Sequence, residues 1–296
     1  MLSGLWLRAH LIALIDVTEH PNEEAVPIRP AATVMLVDDK PDLQVFMMER
    51  SANTVFAGGM WVFPGGSVDG GDTNFEAYCE HRTEAEANHL LGLSEGGLAY
   101  YAAAVREAFE EAGILLAIHK ETGISLDIIS EADKNRFDHH RDRVNENGEH
   151  FLKVVEEEQL HLDVGEMHYV ARWITPVGPP RRFDARFFVS RMPTNQDPRH
   201  DDHELVHCGW FSPKEILERE KAGEMVLMSP TLRMIRTLAR FDSADDVIAS
   251  AEAVLPDERA RVNDNRELVL PGDEGYENGD ENIETGWVRL RPLESS

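Results

Sequence analysis

The chain has 296 residues, 42% hydrophobic and 28% charged, which is ordinary for a folded globular protein and enough for one large domain or two small ones. Its 29 Lys and Arg against 55 Asp and Glu leave a formal charge of −26. That balance argues against binding to nucleic acid or an anionic membrane, and an anionic substrate would need a local cation.

Met1 to Ile15 is apolar but interrupted by Arg8 and His10. It is short of the roughly 20 residues a membrane span needs, and no A-x-A cleavage site follows. It reads as a packed terminal helix or a misassigned start, within an N-terminal segment 1–28. Arg29 to Val37 alternates and is rich in Val, Ala and Thr, a strand. Asp38 to Asp42, with Pro41, is a turn, and Leu43 to Glu49 is the returning strand. A loop from Arg50 and Ser51 reaches Gly58-Gly59, and Met60 to Phe63 runs as a strand into Pro64-Gly65-Gly66. Residues 73–99 hold two helical patterns, Phe75 to Tyr78 and Ala85 to Leu91, with a break at Gly96-Gly97. Tyr101 to Leu116 has no proline and is rich in Ala, Leu and Glu, a helix packed through Ala103, Ala104, Ala108 and Leu115.

Beyond it, Asp127 to Leu160 reads as two helices flanking Asn145 to Gly148. His139-His140 is read as a solvated face, because adjacent helical residues do not face each other. Arg181-Arg182 precedes a core strand, Phe183 to Phe188, entered from a Pro-Pro turn. Leu205 to Phe211 is a strand, and Ser212-Pro213 opens a helix as N-cap and first position. Pro230 to Phe241 and Ala244 to Val254 read as further helices. Asp273 to Glu284 holds six acids and no base and reads as a mobile loop or tail. Cys79 and Cys208 form no disulfide framework and suit a reducing compartment, so a cytoplasmic location is expected. The final Glu294-Ser295-Ser296 does not read as an S-K-L type address.

The chemistry concentrates in Arg106-Glu107-Ala108-Phe109-Glu110-Glu111-Ala112-Gly113-Ile114. Glu107 and Glu111 are four apart, so their Cβ atoms lie about 5–6 Å apart on one helix face, where like charges cost roughly 0.2–0.5 kcal/mol per pair. Such a face is either simply solvated, as is common on surface helices, or held by a divalent cation. Mg²⁺ takes carboxylate oxygens together with water and substrate phosphates.

With the upstream Phe63-Pro64-Gly65-Gly66 and Asp72, these residues resemble the Nudix hydrolase signature G-x5-E-x7-R-E-U-x-E-E-x-G-U, where U is bulky and apolar. Gly66 matches the first glycine and Arg106 to Ile114 the second half. Asp72 replaces the first Glu, and 33 residues (73–105) stand where seven are usual. Phe46 to Ser51, Gly59 and Phe63 to Gly66 resemble the upstream signature of coenzyme A diphosphatases, with Met48 and Val55 departing from it. The long insert, Trp173-Ile174-Thr175-Pro176 and Arg181 to Phe188 are similar to the long-insert acyl-coenzyme A diphosphatases.

The resemblance implies an α/β fold, the Nudix α/β/α sandwich with a mixed sheet and helical insertions. The Nudix domain would span 29–240, with insertions at 73–99 and 117–165 capping the cleft, and 241–296 would be a C-terminal helix and acidic tail. It implies Mg²⁺ or Mn²⁺ on Glu107, Glu111 and Glu110, with a Gly66 carbonyl adding an oxygen. Arg106 would lock a carboxylate, and a box Glu such as Glu110, or the later Glu204, would be the general base. Arg50, Ser51, Gly59, Phe63, Gly65, Arg181 and Arg182 are the expected substrate contacts. The reaction implied is hydrolysis of a nucleotide diphosphate, with coenzyme A or its thioesters the expected substrate. ADP-ribose or NADH diphosphatases and a non-catalytic ligand sensor remain open, and a homodimer is compatible with this reading.

Overall fold

The computed structural model describes residues 26–52, 57–198, 205–265, 267–282 and 285–293. The expected helix in Met1 to Ile15 and the candidate base Glu204 lie outside them. Strands β1 (Ile28–Asp39) and β2 (Leu43–Arg50) form the expected hairpin, followed by the short β3 (Trp61–Val62) and β4 (Gly65–Ser67). A 3-10 helix over Gly70–Tyr78, β5 (Cys79–Glu80) and α1 (Glu84–Leu91) then lead to α2 (Gly97–Ala112). A second excursion holds β6 (Ala117–His119), α3 (Glu131–Glu146), α4 (His150–Glu157) and β7 (Leu160–Asp163). There follow β8 (His168–Ile174), β9 (Arg182–Arg191), β10 (Leu205–Phe211), α5 (Pro213–Ala222), α6 (Ser229–Leu238) and α7 (Ala244–Glu252). The short strands β11 (Glu258–Arg259), β12 (Arg261–Val262), β13 (Leu268–Val269) and β14 (Gly286–Val288) come last.

The main sheet runs β10-β2-β1-β9-β8-β14-β11, with β3 on β2 and β4 on β1. It is mixed: β1 and β9 are parallel over Ile28–Val37, and their neighbours are antiparallel. Both faces of the sheet are covered, so its strands are apolar on both sides. Val34, Leu36, Phe46, Met48 and Phe188 face α2 and the inserted helices. Met35, Val37, Val45, Met47 and Val189 face α5, α6 and α7. This is the α/β/α sandwich, and no helix among the described residues is long and apolar enough to cross a membrane.

One edge of β1 is shared between two strands. Val37 to Asp39 pair with β2, whereas Ala31 to Thr33 pair with β4. Between the two, the Val34 N–H donates to the Pro64 carbonyl at 2.9 Å. The Pro-Gly-Gly turn is thereby laid along β1 under α2, where the apolar patterning alone would not have put it.

The structure departs from the sequence expectations at three places. The box helix ends at Ala112 rather than Leu116, because Gly113 turns the chain left-handed at φ 68°. His139 is exposed but His140 is buried, with its Nε2 2.8 Å from Glu158 Oε1. The polar C-terminal stretch is no tail. Its β14 pairs with β8 in the main sheet, and Tyr276, Val288 and Leu290 are buried.

Candidate active site

Arg106 is the hub. It is 4% exposed, yet its five N–H groups all have acceptors. Nε and Nη2 donate to the two oxygens of Asp72 at 2.9 and 3.0 Å, and Nη2 also donates to the Ser67 carbonyl at 2.9 Å. Nη1 donates to Glu107 Oε1 at 2.8 Å and Glu110 Oε1 at 3.1 Å. Burial opposes the guanidinium charge, but the Asp72 bonds and the charges of Glu107, Asp72 and Glu110 outweigh it and hold the group cationic. Asp72, shorter than the expected Glu by one methylene, still makes a bidentate pair. It closes the first turn of its 3-10 helix as well, accepting from the Asp69 N–H at 2.7 Å. With every donor engaged inside the protein, Arg106 fixes three carboxylates, those of Asp72, Glu107 and Glu110.

Glu111 Oε2 accepts from the Gly65 N–H at 2.9 Å, and Arg50 Nη1 lies 3.5 Å from its Oε1. Gly66 packs directly on Glu107: a Cβ there would lie 2.5 and 2.7 Å from its two carboxylate oxygens, so any larger residue would displace that carboxylate. Burial pushes Glu111 up to about 8, helped by the charge of Glu107, and pushes Glu107 up to about 7 against the pull of Arg106. Glu110 is raised as well, again by burial first.

Three carboxylates that resist ionisation beside one another form a site short of positive charge. Their oxygens are the hard donors that Mg²⁺ and Mn²⁺ prefer. Among the described residues they do not stand as a ready-made cage, because Arg106, Arg50 and the Gly65 N–H already hold several of the oxygens. The donor set nevertheless fits a divalent ion, which would offset the repulsion that raises Glu107 and Glu111.

The structure brings Arg50, Gly65, Gly66, Arg106, Glu107, Glu110 and Glu111 to one place. Ser51 follows Arg50 at the end of β2, and the Gly59 N–H donates to the Arg50 carbonyl at 2.9 Å. Phe63 does not belong to the site. It is buried on the opposite face of the sheet, edge-on to Phe187 at 6.5 Å. Arg181 is exposed. Arg182 stands opposite Ile28, three residues before β4 begins to pair at Ala31, and its Nε donates to the Thr175 carbonyl at 3.1 Å. The cation this strand buries is Arg186, which pairs with Asp184 and donates to the Leu91 carbonyl at 3.4 Å. Within the Arg181 to Phe188 stretch nothing local marks Arg186, rather than Arg182, as the arginine that is buried.

Two contacts from the second insertion have no signal in the sequence. Arg141 of α3 donates to the carbonyls of Glu110 and Glu111 at 2.8 and 2.6 Å. Gly148, between α3 and α4, borders Glu110: a Cβ there would make an ordinary contact, 3.7 Å from its Oε1. No periodicity in a polar helix announces which of its cations turns inward.

The sandwich, with a Pro-Gly-Gly turn facing an Arg-Glu-x-x-Glu-Glu helix, defines a Nudix hydrolase. The family model described as the NUDT19 Nudix domain matches residues 82–238, more than half of the chain, and the chain belongs to that family. The chain is 26% identical over 314 residues to the human protein named acyl-coenzyme A diphosphatase NUDT19, covering 92% of this chain and 80% of that one. It is 25% identical over 273 residues to the Xenopus laevis protein of the same name, covering 79% and 72%. A crystal structure of a Nudix hydrolase from Alicyclobacillus acidocaldarius superposes with a TM-score of 0.64 at 24% identity, covering 76% of this chain and 96% of that one, which attests the fold.

Proposed function

We propose that this Nudix hydrolase cleaves the diphosphate of coenzyme A or an acyl-coenzyme A, using Mg²⁺ or Mn²⁺, to 3′,5′-ADP and (acyl-)4′-phosphopantetheine. The observation that carries the reading is Arg50. The residue that matches the coenzyme A signature has its guanidinium 3.5 Å from Glu111, at the carboxylate site itself. The names of the human and Xenopus relatives, both acyl-coenzyme A diphosphatases, support the same substrate.

Water attacks one phosphorus of the diphosphate, the bridging P–O bond breaks, and charge spreads over the non-bridging oxygens. Catalysis of such a step is mostly positioning and electrostatic stabilisation. Glu107, Glu111 and Glu110, with a Gly66 carbonyl, would hold the divalent ion, which supplies Lewis-acid stabilisation of the phosphate oxygens. Arg106 holds Glu107 and Glu110 in register. The Gly65 N–H and Arg50 orient Glu111, and Arg50 offers a charge-assisted bond to phosphate. Glu110 and Glu204 are the carboxylates proposed to take the proton of the attacking water. Arg181 and Arg182 are proposed as outlying phosphate contacts, and the two insertions as walls of the cleft.

The test is a product assay by mass across coenzyme A, acyl-coenzyme A, dephospho-coenzyme A, ADP-ribose and NADH with Mg²⁺ or Mn²⁺. Arg50→Ala should lower kcat/KM for coenzyme A roughly ten- to a hundredfold, the equivalent of one charge-assisted contact of about 1.5–3 kcal/mol. Its effect on ADP-ribose should be smaller. If wild-type protein instead cleaves ADP-ribose or NADH with the higher kcat/KM, the substrate reading is replaced.

A further inference from the structure

We infer that Arg141, carried by the second insertion, is a positioning residue for the cation-binding end of α2. The inference rests on the reading of Glu107, Glu110 and Glu111 as cation ligands. Two of those carboxylates, Glu110 and Glu111, sit in the last turn of α2, whose final residue is Ala112. A helix C-terminus carries a partial negative charge and unsatisfied carbonyls, so it is a poor place for anions. Gly113 ends the helix left-handed, with its N–H bonded to Phe109 at 3.0 Å, and leaves the carbonyls of Glu110 and Glu111 open to a partner from another element.

Arg141 fills that need. It is 7% exposed, its Nε donates to the Glu110 carbonyl at 2.8 Å, and its Nη2 donates to the Glu111 carbonyl at 2.6 Å. The planar fork grips two successive carbonyls and so fixes the backbone from which both carboxylates hang. Its charge also offsets the helix end at the point where the anions accumulate. One turn earlier on α3, Phe137 packs edge-on to Phe109 at 6.5 Å, which holds α3 against α2 and keeps the Arg141 fork in place. The insertion thus supports the end of α2 through Arg141, and its Gly148 turn borders the Glu110 carboxylate.

The test measures Mn²⁺ binding by the free-ion electron paramagnetic resonance signal, on wild type, Arg141→Met, Arg141→Lys and Glu111→Gln. Arg143→Met is the control, since Arg143 lies on the same helix but pairs with Glu157 at 2.7 and 3.0 Å. Loss of a group that orients metal ligands typically weakens metal affinity about 10–100-fold. Arg141→Met should fall in that range, Arg141→Lys, which keeps the charge but not the paired fork, should be intermediate, and Arg143→Met should match wild type. In turnover of coenzyme A, kcat should fall while KM changes little. If Arg141→Met proves unfolded, Arg141→Lys carries the test, and wild-type Mn²⁺ affinity in it overturns the inference. Arg141→Met binding Mn²⁺ like wild type, while Glu111→Gln does not, overturns it equally. Failure of wild type itself to bind Mn²⁺ removes the cation reading and this inference together.

Discussion

Glu111 shows how one side chain can be costly to the fold and necessary to the site. Its oxygens are held by Gly65 and Arg50, yet burial and the charge of Glu107 push it up to about 8. A carboxyl whose folded value lies above its unfolded one disfavours the folded state wherever the unfolded chain is ionised. The cost is absent below about pH 4 and grows as pH rises toward the folded value. In metal-free buffer at pH 7, Glu111→Gln should therefore melt at the same temperature as wild type or higher. Added Mn²⁺ should stabilise wild type and leave the variant unchanged. Turnover at low Mg²⁺ should fall a hundredfold or more, about 2.7 kcal/mol of barrier. Undiminished turnover in Glu111→Gln, measured beside its melting curve, would remove this residue from the cation site.

At the scale of elements, α2 is fastened at both ends by residues that belong to other helices, Glu84 of α1 and Arg141 of α3. At its start, the N–H groups of Gly96, Gly97 and Leu98 all donate to the Glu84 carboxylate of α1, which also accepts from Asn88. Burial would raise Glu84, but those bonds prevail and lower it. A depressed carboxyl contributes stability that is present above its unfolded value and lost as pH falls through its folded value. Glu84→Gln should cost about 0.5–2 kcal/mol at pH 7, the usual worth of an N-terminal cap. The difference from wild type should shrink as denaturation is followed from pH 5 toward pH 3. A pH-independent difference would mean that the amide caps the helix as well as the carboxylate does.

For the whole molecule, the last forty residues decide how large the folded unit is. β14 continues the main sheet beyond β8, and the Arg289 N–H donates to the Val170 carbonyl at 3.0 Å. Leu290 is 1% exposed in the core that also holds α6 and α7. Truncating such a side chain to alanine typically costs about 2–5 kcal/mol. Leu290→Ala should lower the urea midpoint accordingly, without change in slope. A midpoint equal to that of wild type would return the C-terminal stretch to the status of a tail.

The amino-acid sequence by itself determined the hairpin of β1 and β2, the box helix, the cap at Ser212, and the carboxylate spacing that marks a Nudix site. All of these are local: strand alternation, helix spacing and turn chemistry act within a few residues. Only the tertiary structure decided that Asp72 reaches Arg106 across 34 positions, that Phe63 turns away from the site, and that Arg141 faces the end of α2. It likewise decided that a polar C-terminal stretch supplies a sheet strand. The physical reason is common to them. A buried charge must find its counter-charge or carbonyl wherever packing brings one, and that partner is chosen by distance in space. Pattern within the chain says which residues can be buried, and the packed sheet says against what.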